Sequence, residues 1–342
     1  MNGNKRSGKL RRFIIHLLMV SVCLGCGSAK ESTVHAVQEK VVESSVAEEE
    51  KTEPAVEEEL TEPVVTEAEE KEEPEGITVP FETAEFHKDQ ATGSSDVLID
   101  LSCTDQGYVA LSVIADARLK FQVMKDDMTY NYDIASDGTP SVFPLQSGDG
   151  HYRFRVMKNI VDKKYAELYS VEADVVLKDE FQPFIRPSNY ASYTQDSKCI
   201  KKAAQMAAKA KTKMDIVKSV YEFICKTVTY DTEKAMNVKS GYMPVPDETM
   251  TTGKGICFDY ASLAASMLRS QGIPTKLIFG YVSPSDVYHA WNMIYTEETG
   301  WITVEFKVSG KEWNRIDLTF SANGADSNFI GDGENYTDVY QY

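Results

Sequence analysis

Residues 253–263 read GKGICFDYASL, and this stretch decides the fold. A loop with two glycines leads into a run rich in Ala, Leu and Met, which reaches Gln271 and ends at a Gly-Ile-Pro sequence at 272–274, a typical helix stop. The pattern predicts a helix with Cys257 in its first turn. Because a helix N-terminus favours a thiolate and offers N–H groups without intrahelical acceptors, we expect Cys257 to be a nucleophile.

A reactive thiol needs a base and a group that orients the base, so the downstream sequence matters. Residues 276–282 and 288–295 have the composition of β-strands, and a further strand is predicted over residues 313–320. His289 opens the second of these strands, where an imidazole could face the helix terminus. A histidine at such a position can also be a buried core residue whose hydrogen bonds are satisfied. The functional interpretation of His289 therefore depends on the cysteine and the acid in the neighbouring motifs.

Four motifs in this order resemble the transglutaminase-like domain: Gly-x-Cys-x-Asp-Tyr-Ala, Gly-Ile-Pro, His-Ala-Trp and Asp-x-Thr-Phe. The resemblance covers roughly residues 195–330. It implies a papain-like α+β fold over residues 188–342, in which a nucleophile helix packs on an antiparallel sheet. It also implies a catalytic triad of Cys257 as nucleophile, His289 as base and acid, and Asp317 as the orienting carboxylate. We expect no metal and no cofactor, because no His or Cys cluster has the spacing of metal ligands and this chemistry needs no metal.

The orienting acid is the least regular part of the match. In the commonest family pattern one tight hairpin separates it from the His-Ala-Trp strand, which would place it near Glu305. Asp317 is preferred because its local sequence fits the motif, and an extra hairpin at about 305–313 would explain the longer spacing.

Three further residues are candidates for supporting roles. Asp259 either assists the site or is a favourable charge in the first helical turn. Trp291 is expected to pack beside the histidine, and Tyr260 could line the cleft.

The sequence before the helix divides into an all-β part and two helices. Over residues 81–187, short alternating runs separated by Gly and Asp clusters predict a β-sandwich-like domain. We find no catalytic constellation there, so this part is expected to be a spacer, a docking module or a support. Residues 198–211 and 215–228 are predicted helices, and residues 242–255 are predicted to form a loop.

The first 80 residues carry an uneven charge. Five basic residues precede an apolar run that is too short to span a membrane and that ends near Cys26, so residues 1–26 are predicted to be a signal peptide with a lipoprotein-like cleavage site at Cys26. A simple cleaved signal and an uncleaved anchor are the alternatives. Residues 27–80 are predicted to be a disordered linker rich in Glu and Pro, because such a segment cannot bury enough apolar surface to fold.

These features together predict an exported, cysteine-dependent acyl-transfer enzyme, lipid-anchored through Cys26 to the outer face of the cytoplasmic membrane. Its substrate would be a peptide or a glutamine amide, cell-wall peptides among them, and either hydrolysis or crosslinking would follow. The net charge is −17 and no basic patch stands out in the sequence. Because phosphate binding needs clustered Lys and Arg, this argues against nucleic acid as a partner. The alternatives are a non-catalytic binding module on the same fold and a structural anchor in which the β-domain acts.

Overall fold

The computed structural model describes residues 76–283, 286–297, 312–323 and 335–342, with the backbone alone over residues 312–316. These residues fall within one unit, Pro74–Tyr342. The predicted signal peptide, the lipid-attachment residue Cys26 and the alternative acid Glu305 lie outside the described residues. No helix in the described part of the chain is both long and apolar enough to cross a membrane.

The first part of the described chain is built from β-strands. They are β1 (Thr92–Gly93), β2 (Val97–Asp100), β3 (Tyr108–Val113), β4 (Leu119–Lys125), β5 (Met128–Ile134), β6 (Ser141–Pro144), β7 (Gly150–Val161) and β8 (Lys164–Val175). Two antiparallel sheets result, in the orders β1-β2-β3-β6 and β5-β4-β7-β8. Alternating apolar residues from both sheets bury one another in a common core, which confirms the predicted sandwich. They include Val97, Ile99, Val109, Leu111, Phe121, Val123, Phe143, Phe154 and Val156.

The second part is helical before it returns to strands. Its elements are α1 (Lys198–Ala207), α2 (Lys213–Thr227), β9 (Thr229–Tyr230), α3 (Thr232–Asn237), α4 (Pro246–Thr252), β10 (Lys254–Gly255), α5 (Cys257–Arg269), β11 (Thr275–Val282), β12 (Val287–Thr296), β13 (Glu312–Ile316), α6 (Leu318–Ala322) and β14 (Tyr336–Gln341). The last four strands form an antiparallel sheet in the order β13-β12-β11-β14, and α5 packs against β11 and β12. A nucleophile helix on an antiparallel sheet is the predicted α+β arrangement, which is therefore confirmed.

The two parts are joined by one continuous core. Tyr132 of the sandwich packs against Tyr342 and Tyr190, with ring centroids 5.6 Å apart in each pair. Tyr190 also packs edge-on against Phe258 in the first turn of α5, and Phe258 packs against Phe279 of β11. We call these five residues the aromatic cluster. Through this cluster the sandwich supports the N-terminal turn of α5, so it is part of the structure that holds Cys257.

Two local predictions were wrong. Residues 246–252, which lie within the predicted loop, form α4: Pro246 occupies the first turn, where its missing N–H costs nothing, and Gly253 ends the helix at φ +64°. The strand predicted over residues 313–320 stops at Ile316. Asp317 then caps α6, because its carboxylate accepts the backbone N–H of Phe320 at 3.0 Å.

The folded part also begins earlier than residue 81. The backbone N–H of Ile77 donates to the carbonyl oxygen of Ala207 at 3.1 Å, and the side chains of Ile77 and Phe81 pack against the core that α1 and α2 share. Phe81 meets Tyr193 edge to face. Residues 76–80 were assigned to the linker on composition, but their apolar residues alternate and have a surface to bury against.

Candidate active site

Cys257 is the first residue of α5 and is partly buried. The turn before it is tight: a Cβ at Gly255 would lie 2.6 Å from the Cβ of Asp259, so only glycine allows this approach. Asp259, at the third helical position, reaches back and accepts the N–H of Ile256 at 2.8 Å. The glycine and the acid in the sequence motif therefore both serve to start the helix at the cysteine.

His289 lies in β12 and is 4% exposed. Its ring stacks on Phe320 with centroids 4.5 Å apart and lies 6.2 Å from the ring of Trp291. The Nε2 atom is 2.9 Å from Oδ2 of Asp317, and the thiol of Cys257 lies close enough to the imidazole to raise its pKa. Because Nε2 is taken by Asp317, Nδ1 is the ring nitrogen left for the thiol.

Asp317 is fully buried and uses both of its oxygens. Oδ1 caps α6 through the N–H of Phe320, while Oδ2 accepts from His289 and, at 3.0 Å, from the hydroxyl of Tyr336. Each of these bonds fixes the carboxylate, and the carboxylate in turn fixes the imidazole plane. The structure thus brings the three predicted residues together, with Asp317 on a helix cap instead of in a strand.

The electrostatics of the site favour a protonated imidazole. Burial of the ring lowers the pKa of His289, but the charge of Asp317, its hydrogen bond and the contact with Cys257 outweigh burial and raise the pKa to about 10. At neutral pH the ring is therefore an imidazolium next to a sulfur atom. A cation beside a cysteine stabilises the thiolate, which is the nucleophilic form.

Comparison with known proteins identifies the family of the domain that carries Cys257 and His289. Residues 200–306 match the family model of the transglutaminase-like superfamily. The chain contains a transglutaminase-like domain. Cys257 and His289 lie within the matched residues, and Asp317 follows them.

The relatives of the transglutaminase-like domain match it over limited lengths. The uncharacterized protein YebA of Bacillus subtilis is 30% identical over 108 residues, which are 27% of this chain and 15% of YebA. A UPF0252 protein of Methanocaldococcus jannaschii is 29% identical over 77 residues, or 21% of this chain and 22% of that protein. The chain thus spans less than a quarter of either relative. A solved structure of a candidate cysteine protease from Cytophaga hutchinsonii has a TM-score of 0.37 at 17% identity, over 74% of this chain and 73% of that one.

The first turn of the nucleophile helix also offers hydrogen-bond donors. The N–H groups of Asp259 and Tyr260 both donate to the carbonyl oxygen of Ile256. Within the described residues, the N–H groups of Cys257 and Phe258 have no acceptor. Donors of this kind, at the end of the helix that carries the thiol, can stabilise an oxyanion that forms at a carbonyl attacked by Cys257.

Asp259 has partners that the sequence did not reveal. It is fully buried, and its carboxylate contacts the ammonium group of Lys234 at 2.8 Å and the hydroxyl of Tyr242 at 2.5 Å. Lys234 also donates to the Tyr242 hydroxyl at 2.6 Å. We call Asp259, Lys234 and Tyr242 the Asp259 network. No local motif marks the lysine and the tyrosine, which lie on α3 and on the loop after it.

The other two predicted supporting residues lie in the core. Tyr260 is buried and donates its hydroxyl to the carbonyl oxygen of Val228 at 2.7 Å, so it ties α5 to the end of α2 and does not line a cleft. Trp291 is buried between His289 and Tyr336, whose ring it meets at 4.9 Å. Tyr336 itself is a contact of the orienting acid that sequence reasoning missed, since it lies 19 residues beyond Asp317.

Two half-exposed tyrosines, Tyr230 and Tyr288, lie near the thiol. Burial raises the pKa of each hydroxyl, and the nearby Cys257 raises it further. Tyr288 stacks on Phe279, and its cross-strand partner is the exposed Tyr281. Among the described residues, no three His, Cys, Asp or Glu side chains form a group that could hold a metal ion.

Proposed function

We propose that the transglutaminase-like domain is a cysteine-dependent acyl-transfer enzyme that acts on amide bonds of peptides or glutamine side chains. The observation that carries the proposal is the position of one imidazole: Nε2 bonds to a fully buried carboxylate, and the thiol at a helix N-terminus lies close enough to raise the pKa of the ring. This is the nucleophile, base and orienter logic of the Ser-His-Asp arrangement with sulfur in place of oxygen.

In the acylation step, the Cys257 thiolate attacks the amide carbonyl carbon and the carbonyl oxygen becomes an oxyanion. The N–H groups of Cys257 and Phe258 stabilise that charge. The imidazolium of His289 gives its proton to the leaving nitrogen, the C–N bond breaks, and a thioester on Cys257 remains with a free amine released.

In the second step, neutral His289 takes a proton from the incoming nucleophile, which attacks the thioester carbon and displaces the thiolate. Water as nucleophile gives net hydrolysis, as in a protease or amidase. A lysine amine gives a crosslink, as in a transglutaminase. The residues of the site carry the thioester step in both cases, so the acceptor decides between the two outcomes.

A mixture of peptides and primary amines, incubated with the protein and analysed by mass spectrometry, tests the proposal. We expect cleaved, deamidated or amine-coupled products with the wild type, a mass increase on Cys257 from the trapped acyl group, and none of these with Cys257→Ser. Absence of any product or adduct with the wild type across a diverse peptide set would count against acyl transfer.

Thiol labelling distinguishes the proposed enzyme from a non-catalytic binding module on the same fold. If the site is catalytic, a small alkylating reagent should label Cys257 rapidly at pH 6, and His289→Ala should lose that labelling, because a cation beside a cysteine increases its reactivity. The same labelling rate in both proteins would favour the binding module.

We also propose that the protein is exported and lipid-anchored at Cys26, so that its peptide substrates, cell-wall peptides among them, lie outside the cell. The basic start, the short apolar run and the cysteine at its end support this. Metabolic labelling with a fatty acid should mark the wild type and not Cys26→Ser, and the variant should leave the membrane fraction. Equal labelling of both would contradict lipidation at this residue.

A further inference from the structure

The Asp259 network lies directly beneath the turn that starts at the nucleophile. Oδ2 of Asp259 accepts both the N–H of Ile256 and the ammonium group of Lys234, each at 2.8 Å, and Oδ1 accepts the Tyr242 hydroxyl. An acid at the third position of a helix commonly caps the first turn by itself. Here two further donors from outside the helix, one on α3 and one on the loop after it, also bond to the carboxylate.

The network is balanced in charge and in hydrogen bonds. A fully buried carboxylate is costly unless it is paired and hydrogen-bonded, and Lys234 supplies the opposite charge. Burial lowers the pKa of Lys234, but its bonds to Asp259 and Tyr242 outweigh this and raise it. Burial and the carboxylate raise the pKa of Tyr242 to about 12. At neutral pH both groups are therefore protonated and act as donors to Asp259.

The segment that carries Tyr242 passes close to the sandwich. Gly241 adopts φ +85°, and a Cβ there would lie 3.4 Å from Oδ2 of Asp133. Asp133 of β5 in turn pairs with Arg118, which precedes β4, at 2.8 Å and with Lys120 of β4 at 3.2 Å. The loop residue next to Tyr242 thus lies beside these charged side chains of the sandwich, while Tyr242 itself bonds to the first turn of α5.

We propose that Lys234 and Tyr242 are positioning residues that act through Asp259, holding the first turn of α5 so that the N–H groups of Cys257 and Phe258 point at the oxyanion. This inference rests on the proposed acyl transfer. Asp259 Oδ2 holds the N–H of Ile256, the residue that precedes both donors, so loss of its outside partners frees the turn to rotate. A displacement of these donors by about 1 Å is enough to cost up to a hundred-fold in rate.

The test compares two reactions of the same thiol in full-length protein. Alkylation needs the thiolate and forms no oxyanion, whereas acylation by an amide or ester substrate needs the oxyanion donors. We expect Tyr242→Phe and Lys234→Met to lower kcat of acylation about ten- to a hundred-fold, with KM within a factor of two and the alkylation rate at pH 6 unchanged. Lys234→Arg, which keeps the charge, should retain more activity than Lys234→Met.

Matched controls remove similar groups away from α5. Tyr152→Phe deletes a buried hydroxyl bonded to the backbone at Leu145 and Gly148 in the sandwich, and Lys202→Met deletes an ammonium group over the Phe223 ring. Both should leave the ratio of acylation to alkylation unchanged. If Tyr242→Phe and Lys234→Met acylate as the wild type does, or lose alkylation and acylation equally, the positioning role is wrong. If the wild type forms no acyl-enzyme at all, it is the proposed function that fails.

Discussion

At the scale of single residues, the two oxygens of Asp317 have different partners: one caps a helix and the other orients the imidazole of His289. The pKa of His289, raised from 6.5 to about 10 in the fold, makes this pair a source of stability that depends on pH. A raised folded pKa stabilises the protein fully below the unfolded value, and this contribution disappears as pH rises through the folded value.

We therefore expect the unfolding free energy of the wild type to decrease between about pH 6.5 and pH 10, by a few kcal/mol in order of magnitude. Asp317→Asn removes the charge that raises the pKa, so its unfolding free energy should be lower at pH 6 and should change much less over the same interval. Urea unfolding at pH 6, 8 and 10 measures both. If the unfolding free energies of the two proteins changed with pH in parallel, the His289–Asp317 pair would not be the source of the pH dependence.

Sequence reasoning selected the three residues that the structure brings together, because each of them lies in a short local motif. Cys257 follows a glycine turn, His289 precedes Ala-Trp, and Asp317 begins Asp-Leu-Thr-Phe. It could not find Lys234, Tyr242 or Tyr336. Their positions depend on how α3 and β14 are folded back onto α5 and α6, and no spacing along the chain encodes that contact.

At the scale of elements, β11 and β14 approach each other closely at Gly280. A Cβ there would lie 2.0 Å from the carbonyl oxygen of Thr337 and 2.7 Å from the ring of Trp291, next to His289. Gly280 also pairs with His289 across the β11–β12 ladder. The glycine in this strand is thus needed for close packing, and its backbone has no positive φ.

Gly280→Ala should consequently destabilise the protein by about 3 kcal/mol, because β14 or Trp291 has to shift to relieve the clash. Gly148→Ala is the control: its φ is +74° and nothing lies near the added methyl, so it should cost only about 1 kcal/mol. Chemical denaturation gives both values. Equal losses for the two variants would contradict the steric explanation.

Helix α4 lies in a segment that is predicted to be a loop, and it shows why composition alone does not define every element. Residues 242–255 contain two prolines and two glycines, which predicts a loop. In the structure, Pro246 opens α4 and Gly253 closes it, so the same residues mark the two ends of a short helix. Its Asp247 carboxylate accepts the N–H groups of Lys198 and Cys199 at the start of α1, which gives α4 a tertiary role.

At the scale of the whole molecule, the sandwich and the transglutaminase-like domain share a core through the aromatic cluster. The sequence separated them at residue 187 because the pattern changes there from strands to helices. That change is real, but the burial of Tyr132 against Tyr190 and Tyr342 cannot be read from composition.

We expect residues 188–342 expressed alone to lack a cooperative unfolding transition, because the sandwich-facing side of the aromatic cluster would be exposed to water. Circular dichroism on heating, together with labelling of Cys257 at pH 6, checks this against the full chain. Cooperative melting with retained labelling would mean that the sandwich is dispensable for the site.

The attachment of Ile77 to the end of α1 matters when the chain is pulled. Tension arriving along the preceding residues would first act on the bond from Ile77 to Ala207 and then on the packing of Phe81 against Tyr193. These contacts would break one after another, before the force acted on any strand of the sandwich. The elements that bear Cys257, His289 and Asp317 all lie further along the chain, so the opening of these first contacts alone would leave the three side chains together.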